Sequence, residues 1–279
     1  MALTDSTTNV EYPKNPIRIG KAFHHFRLLT QDVENTDEVF KIIRALTGNS
    51  FFKSFERFKK TPHGQKVLAE KQSMLDFLMD RTPLAAMPEG TLGRTYNDFM
   101  THEGLTADGL AAASQAVLDD EDPDANQRFF SEETETFGNW LRDIHDLYHV
   151  TTGYGRDPIG ELCLLSFTFA QTRNPGIGFI VFMGMLQSKV RARGVPVIRA
   201  VVQAYRDGMH ANWLPAEDWE NMLHLPLKEV REKVNVRWPE KYINVLEAVK
   251  ANPAFDPVIA KQIDAAPYIP IAPEWAAQG

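Results

Sequence analysis

The chain is nearly devoid of cysteine. Cys163 stands alone, so no intrachain disulfide can form, and a reducing compartment fits that usage. Long apolar runs are missing too: none reaches the roughly eighteen residues that a membrane-spanning helix needs. Positive charge is in deficit, with 30 basic against 37 acidic residues and a formal charge of -7, which gives no support for a nucleic-acid binder. The opening stretch MALTDSTTNVEYPKN has no apolar core for a secretion signal. Asp5 and Glu11, with no early arginine, also argue against a mitochondrial transit helix. Strand-type alternation, internal repeats and low-complexity blocks are absent as well. A cytoplasmic protein is expected, with attachment to a membrane surface left open.

What remains is ample for a core: 279 residues, 43% of them hydrophobic. Apolar residues recur at helical spacing from Lys21 to Leu29 and from Thr36 to Leu46. FFKSFERFKK puts Phe51, Phe55 and Phe58 on one face. Pro62 opens a helix expected to run through Leu68 and Leu75 to Phe77 or Met79. A glycine turn precedes the Leu92, Tyr96 and Phe99 pattern, and another helix is expected through Phe137, Leu141, Ile144 and Tyr148 to near Gly153. Asp157 and Pro158 then restart a helix as N-cap and first turn. Residues 213–236 read as short helices broken by prolines. The expectation is all-α: a polar lead-in over 1–18, one multi-helix domain over 19–250, and an irregular proline-rich tail over 251–279. The acidic stretch DDEDPD, 119–124, reads as an exposed link.

The chemistry concentrates in HDLYHVTTGYGRDPIGE, residues 145–161. His145 and His149, four apart in a helix, present imidazoles to one side and can reach one metal ion. Glu161 follows beyond Gly153, Gly155 and Pro158, so a helix–turn–helix can return its carboxylate across the histidines. Asp146 lies about 100° round the helix from His145. It is a further ligand if the helix end is distorted, or a group beside the ligands, or a proton acceptor. Two nitrogens and one or two carboxylates suit zinc or iron(II), and spacing does not separate these. The plain alternative has the histidines as satisfied polar residues at a helix edge, with Glu161 at the positive end of the next helix.

The most apolar run, IGFIVFMGML at 177–186, offers Phe179, Ile180, Phe182, Met183 and Leu186 to an isoprenoid tail. Lys189, Arg191 and Arg193 behind it can meet lipid phosphates. A buried core helix with a solvated basic end explains the same pattern. Arg94, after Gly90 and Gly93, belongs to no dinucleotide fingerprint; it sits in a helix start or binds a carboxylate. Cys163 reads as packing, and His24 and His25 as structural.

These residues closely resemble the coenzyme Q (ubiquinone) biosynthesis protein 4 family. The family signature H-D-x-x-H, eleven residues, then E is complete at His145, Asp146, His149 and Glu161. PEGTLGRTY at 88–96, the 205–219 region with Trp213, Leu214 and Trp219, and PLKEVREKVNV at 226–236 are also similar, so the likeness covers roughly 88 to 238. The tail beyond Pro253 departs from it. The resemblance implies an all-α fold, often dimeric, attached peripherally to the membrane where ubiquinone is made, in company with other ubiquinone-biosynthesis proteins. It implies C1 oxidative decarboxylation of a polyprenylated hydroxybenzoate intermediate, or else a non-catalytic lipid-binding scaffold for the pathway's enzymes. As an enzyme, the chain would use Asp146 for the proton and the apolar run for the tail. The expected setting is bacterial, at the inner membrane.

Overall fold

The computed structural model describes residue 12 and residues 16–32, 35–110, 131–192 and 194–251. Arg193, the acidic stretch 119–124 and the tail from 252 lie outside the described residues. Side-chain caps mark many of the helix starts. Asn35 accepts from the Glu38 N–H at the head of α2 (Thr36–Leu46), which follows α1 (Ile19–Leu29). Thr61 caps α4 (Pro62–Glu70) after α3 (Ser50–Phe58). Asp80 caps α6 (Arg81–Ala85) and Thr91 caps α7 (Leu92–His102), with α5 (Met74–Met79) before them. Ser131 and Thr134 form a capping box for α8 (Glu132–Asp143), and α9 (His145–Thr152) follows after one residue. Asp157 and Asn174 cap α10 (Pro158–Thr172) and α11 (Pro175–Arg191). After α12 (Val197–His210) come a 3-10 turn (Leu214–Ala216), α13 (Trp219–Met222), α14 (Leu227–Lys233) and α15 (Glu240–Lys250). Among the described residues the only strand-like feature is an isolated bridge between Thr91 and Pro226.

Two expected helices are divided. The stretch from Pro62 breaks where Lys71 takes the left-handed conformation, and α5 restarts at Met74. A distant residue stabilises the break: Asp143 accepts from the Leu75 N–H at 3.3 Å and the Ser73 hydroxyl at 3.4 Å. The stretch through Tyr148 breaks at Ile144, so His145 and Asp146 stand in the first turn of a new helix. No local rule marks either break.

The body forms one all-helical domain. The four phenylalanines of α3 are buried, each contributing about 1.5–3 kcal/mol of apolar burial. Phe51, Phe55 and Phe58 meet Phe137 of α8. Tyr12, within the polar lead-in, stacks on Phe52 at 4.6 Å and donates to Glu56. α10 and α12 pack intimately, with Ser166 donating to the Val201 carbonyl across the seam. A smaller apolar cluster joins α1, α2 and α11 through Phe26, Ile42, Leu46 and Ile180. No described helix is long and apolar enough to cross a membrane.

Two well-separated stretches converge on α9. The start of α7 pairs with the approach to α14: Gly93 N–H donates to Leu223 at 2.8 Å, and Leu227 N–H to Gly90 at 2.8 Å. Arg231 of α14 is buried and donates to the carbonyls of Val150 and Thr151 at 3.1 and 3.0 Å. Those carbonyls end α9 and have no helical partner, so the guanidinium satisfies them and opposes the negative end of the helix. Arg231→Met leaves them buried and unsatisfied. A loss of about 2–5 kcal/mol in urea unfolding is expected, and a loss below about 1 kcal/mol would count against this role.

Candidate metal centre

The break at Ile144 sets the local geometry of the histidines. It puts His145 and Asp146 in the first turn of α9 with His149 one turn on, and one ligand atom of each lies within 4.8 Å of the others. The imidazoles of His145 and His149 sit 5.0 Å apart at 71°. His145 Nδ1 lies 3.2 Å from Asp146 Oδ1.

His149 is held most firmly. Gly153 ends α9 at φ 77°, a conformation glycine adopts without strain, and the chain doubles back. The Tyr154 carbonyl thereby reaches His149 Nδ1 at 2.8 Å and accepts its proton. That bond selects the tautomer and leaves Nε2 as a bare lone pair. Nε2 is buried and has no hydrogen-bond partner among the described residues, with Glu161 Oε1 at 3.5 Å. Phe99 of α7 stacks on the ring at 5.8 Å and 23°.

Glu161 is delivered by the start of α10. Asp157 Oδ1 accepts from the Ile159 and Gly160 N–H groups, both at 3.0 Å. Its other oxygen accepts from the Tyr242 hydroxyl of α15, which in turn accepts from Gly155 N–H at 3.1 Å. The turn and the helix start so tied together leave no room for a side chain at Gly160, whose Cβ would collide with the Gly155 carbonyl.

Charges in the recess are strongly perturbed. Burial, then the positive charge of His145, pushes His149 down to about 3, so it is neutral at ordinary pH. Burial raises Glu161 to about 7, with His145 and Arg156 pulling only partly the other way. Burial would raise Asp146 as well, but the hydrogen bond and charge of His145 outweigh it and hold the carboxyl below its usual range. The reciprocal bond lifts His145 above its ordinary value against the effect of burial. A buried, unpartnered imidazole nitrogen beside an ionised carboxylate is a poor packing solution and a good metal site. The donor set fits a divalent ion.

The structure thus brings together His145, Asp146, His149 and Glu161. Arg94 is elsewhere engaged: its Nε lies 3.0 and 3.1 Å from the Asp98 oxygens, and Nη1 donates to Ala85 at 2.9 Å. Phe179 meets Phe23 and Phe26, and Met183 packs on the same small cluster. Phe182 and Leu186 are exposed on α11, and Lys189 and Arg191 occupy its last turn. Sequence reasoning passed over one wall of the site. Tyr96 and Phe99 of α7 and Glu103 just past its end share a face by their i, i+3, i+7 spacing, which was the available signal. The Tyr96 hydroxyl and Glu103 Oε1 are buried without partners.

Metal binding must displace the proton that Glu161 holds below about pH 7, whereas His149 Nε2 has none to lose. Zinc affinity is therefore expected to rise from about pH 6 to about pH 8 with measurable proton release, and Glu161→Gln to flatten the rise. Titration calorimetry in buffers of different ionisation enthalpy measures both, and a pH-independent affinity would refute the assignment. Gly160→Ala is expected to lose about 1–3 kcal/mol in chemical unfolding and to weaken zinc binding together with it.

Comparison with known proteins places this geometry. Residues 30–240 match the profile of the family described as "Coenzyme Q (ubiquinone) biosynthesis protein Coq4". A mitochondrial ubiquinone biosynthesis protein coq-4 of Neurospora crassa is 28% identical over 178 residues, 64% of this chain and 47% of that protein. Its counterpart from Botryotinia fuckeliana is 28% identical over 180 residues, 64% of this chain and 59% of that protein. The chain thus spans about half to three fifths of the length of these relatives. A crystal structure of a candidate ubiquinone biosynthesis protein from Nostoc punctiforme PCC 73102 shares the fold. It has a TM-score of 0.55 at 24% identity, over 78% of this chain and 98% of that one.

Proposed function

The chain belongs to the Coq4 family of coenzyme Q (ubiquinone) biosynthesis proteins, and from that premise we propose that it is a metal-dependent C1 oxidative decarboxylase of ubiquinone biosynthesis. Its substrate is a polyprenylated hydroxybenzoate whose ring carboxyl is replaced by hydroxyl. The observation that carries this reading is the buried, unpartnered Nε2 of His149, beside His145, Asp146 and Glu161.

His145, His149 and Glu161, with Asp146 beside or among them, would hold zinc or iron(II). A bound divalent ion supplies Lewis-acid polarisation of a ring hydroxyl and carboxylate. Asp146 stays ionised, and with Oδ1 against His145 its Oδ2 accepts the phenolic proton. Phe99 stacks on the His149 ring, and Tyr96 is buried one turn before it on α7. Exchange of the carboxyl for hydroxyl, with water as the oxygen source, releases carbon dioxide and takes an electron pair from the ring. Dioxygen, reduced to hydrogen peroxide, balances that oxidation.

The apolar run of α11 supports the prenyl side of the substrate. Phe179 and Met183 take one flank of the isoprenoid tail, while Phe182 and Leu186 stand open at the surface. Exposed Ile19 and Phe23 on α1, with Lys189 and Arg191 near by in sequence to the α11 stripe, favour attachment to a membrane surface. The same exposed apolar groups favour a second reading, a lipid-presenting scaffold for other ubiquinone-biosynthesis proteins whose metal joins two helices. A homodimer is compatible with either.

Purified protein of known zinc or iron content is incubated in air with 3-geranyl-4-hydroxybenzoate, and the products are weighed by mass spectrometry. Metal-dependent conversion to geranylhydroquinone, abolished in His149→Ala, is expected. Tight substrate binding with no turnover under either metal would favour the scaffold.

A further inference from the structure

Arginines that serve the architecture of this protein donate hydrogen bonds to nearby carbonyls or side chains. Arg81 donates to the side chain and carbonyl of Asn97 at 3.1 and 2.7 Å. Arg142 donates to Asp143 at 3.0 and 2.7 Å, and Arg231 caps α9. Arg156 differs. It stands in the turn between α9 and α10, half-exposed, with its guanidinium between two acidic side chains. Nη1 lies 3.8 Å from Glu103 Oε2 and Nε 3.8 Å from Glu161 Oε1, both beyond hydrogen-bond reach. It donates no hydrogen bond to any described residue.

The position is nevertheless fixed. Gly155 N–H is held by Tyr242 and Asp157 is tied into the head of α10, so the residue between them leaves a braced turn. Through Glu161 the guanidinium borders the cluster at 3.8 Å, and its positive charge acts on His145, Asp146, His149 and Glu161. A dication seated there would claim Glu161. Arg156 would then keep Glu103 as its neighbouring counter-charge, with its donors unclaimed by any described residue.

We propose that Arg156 is the specificity residue of this site, binding the ring carboxylate of an aromatic acid through its guanidinium fork while Glu103 holds the arginine in place. A planar five-donor cation matches a carboxylate in two parallel hydrogen bonds, a fit that a lysine ammonium does not reproduce. This deepens the reading above and rests on it for the identity of the acid. It adds a two-point hold on the carboxylate to the polarisation that the ion would supply, and so widens the discrimination between the carboxylated substrate and the phenol of the same tail.

Binding is measured anaerobically on the full zinc-loaded chain with 3-geranyl-4-hydroxybenzoate and with 2-geranylphenol, by equilibrium dialysis. Wild type is expected to favour the carboxylate by about ten-fold or more. Arg156→Gln is expected to lose most of that preference, leaving zinc content and affinity for the phenol unchanged. Arg156→Lys should keep zinc but lose most of the preference, and it decides the matter if Arg156→Gln does not fold or hold metal. Equal affinity of wild type for both ligands, or full retention of the preference in either variant, overturns the proposal. Turnover is scored separately. An Arg156-dependent preference without decarboxylation refutes the enzyme and keeps the recognition, while decarboxylation with an Arg156-independent preference does the reverse.

Discussion

The hydrogen bond from His149 Nδ1–H to the Tyr154 carbonyl organises the site. It needs the left-handed turn at Gly153, and it fixes both the tautomer and the plane of a fully buried ring. With Nδ1 occupied, the second nitrogen faces the recess and is left without a partner. Such an atom carries a desolvation cost of about 1–3 kcal/mol, which a packing role would not require. The same bond joins the end of α9 to the turn that carries Arg156 and leads into α10. Ligands on two helices therefore share one short, braced connection.

The surrounding helices support that connection from several directions. α14 supplies Arg231 to the final carbonyls of α9, and α15 supplies Tyr242 to Asp157. α7 lays Phe99 against the imidazole, and its own start is pinned to the approach to α14 by backbone bonds. The stretches that carried the family resemblance, 88–96 and 226–236, thus meet in space beside the histidines. Their separation along the chain concealed a common purpose, which is to hold the face of α7 and the end of α9 in register.

Electrostatics sets what the site can do. Burial drives His149 and Glu161 towards their neutral forms, while His145 and Asp146 hold each other charged. The four side chains therefore combine an available nitrogen lone pair, an ionised carboxylate and a carboxyl poised near neutrality. A dication stabilises every anionic donor in such a set, and this is the physical content of the metal assignment.

Local rules made much of this legible from sequence. The i, i+4 histidines, the Gly153 stop, and the Asp157–Pro158 start depend on backbone geometry within one or two turns, and so did most helix boundaries and the all-helical class. The breaks at Lys71 and Ile144 were not legible, because Asp143 rewards the first through contacts about seventy residues away and nothing local marks the second. Nor were Arg231, Tyr242, Glu103 and Arg156, ordinary helix or turn residues by pattern. Their roles arise only when packing removes water and brings a buried carbonyl, carboxylate or imidazole within reach. Periodicity determines which face of a helix is apolar, but only the packed structure decides which polar atom on that face is left without a partner.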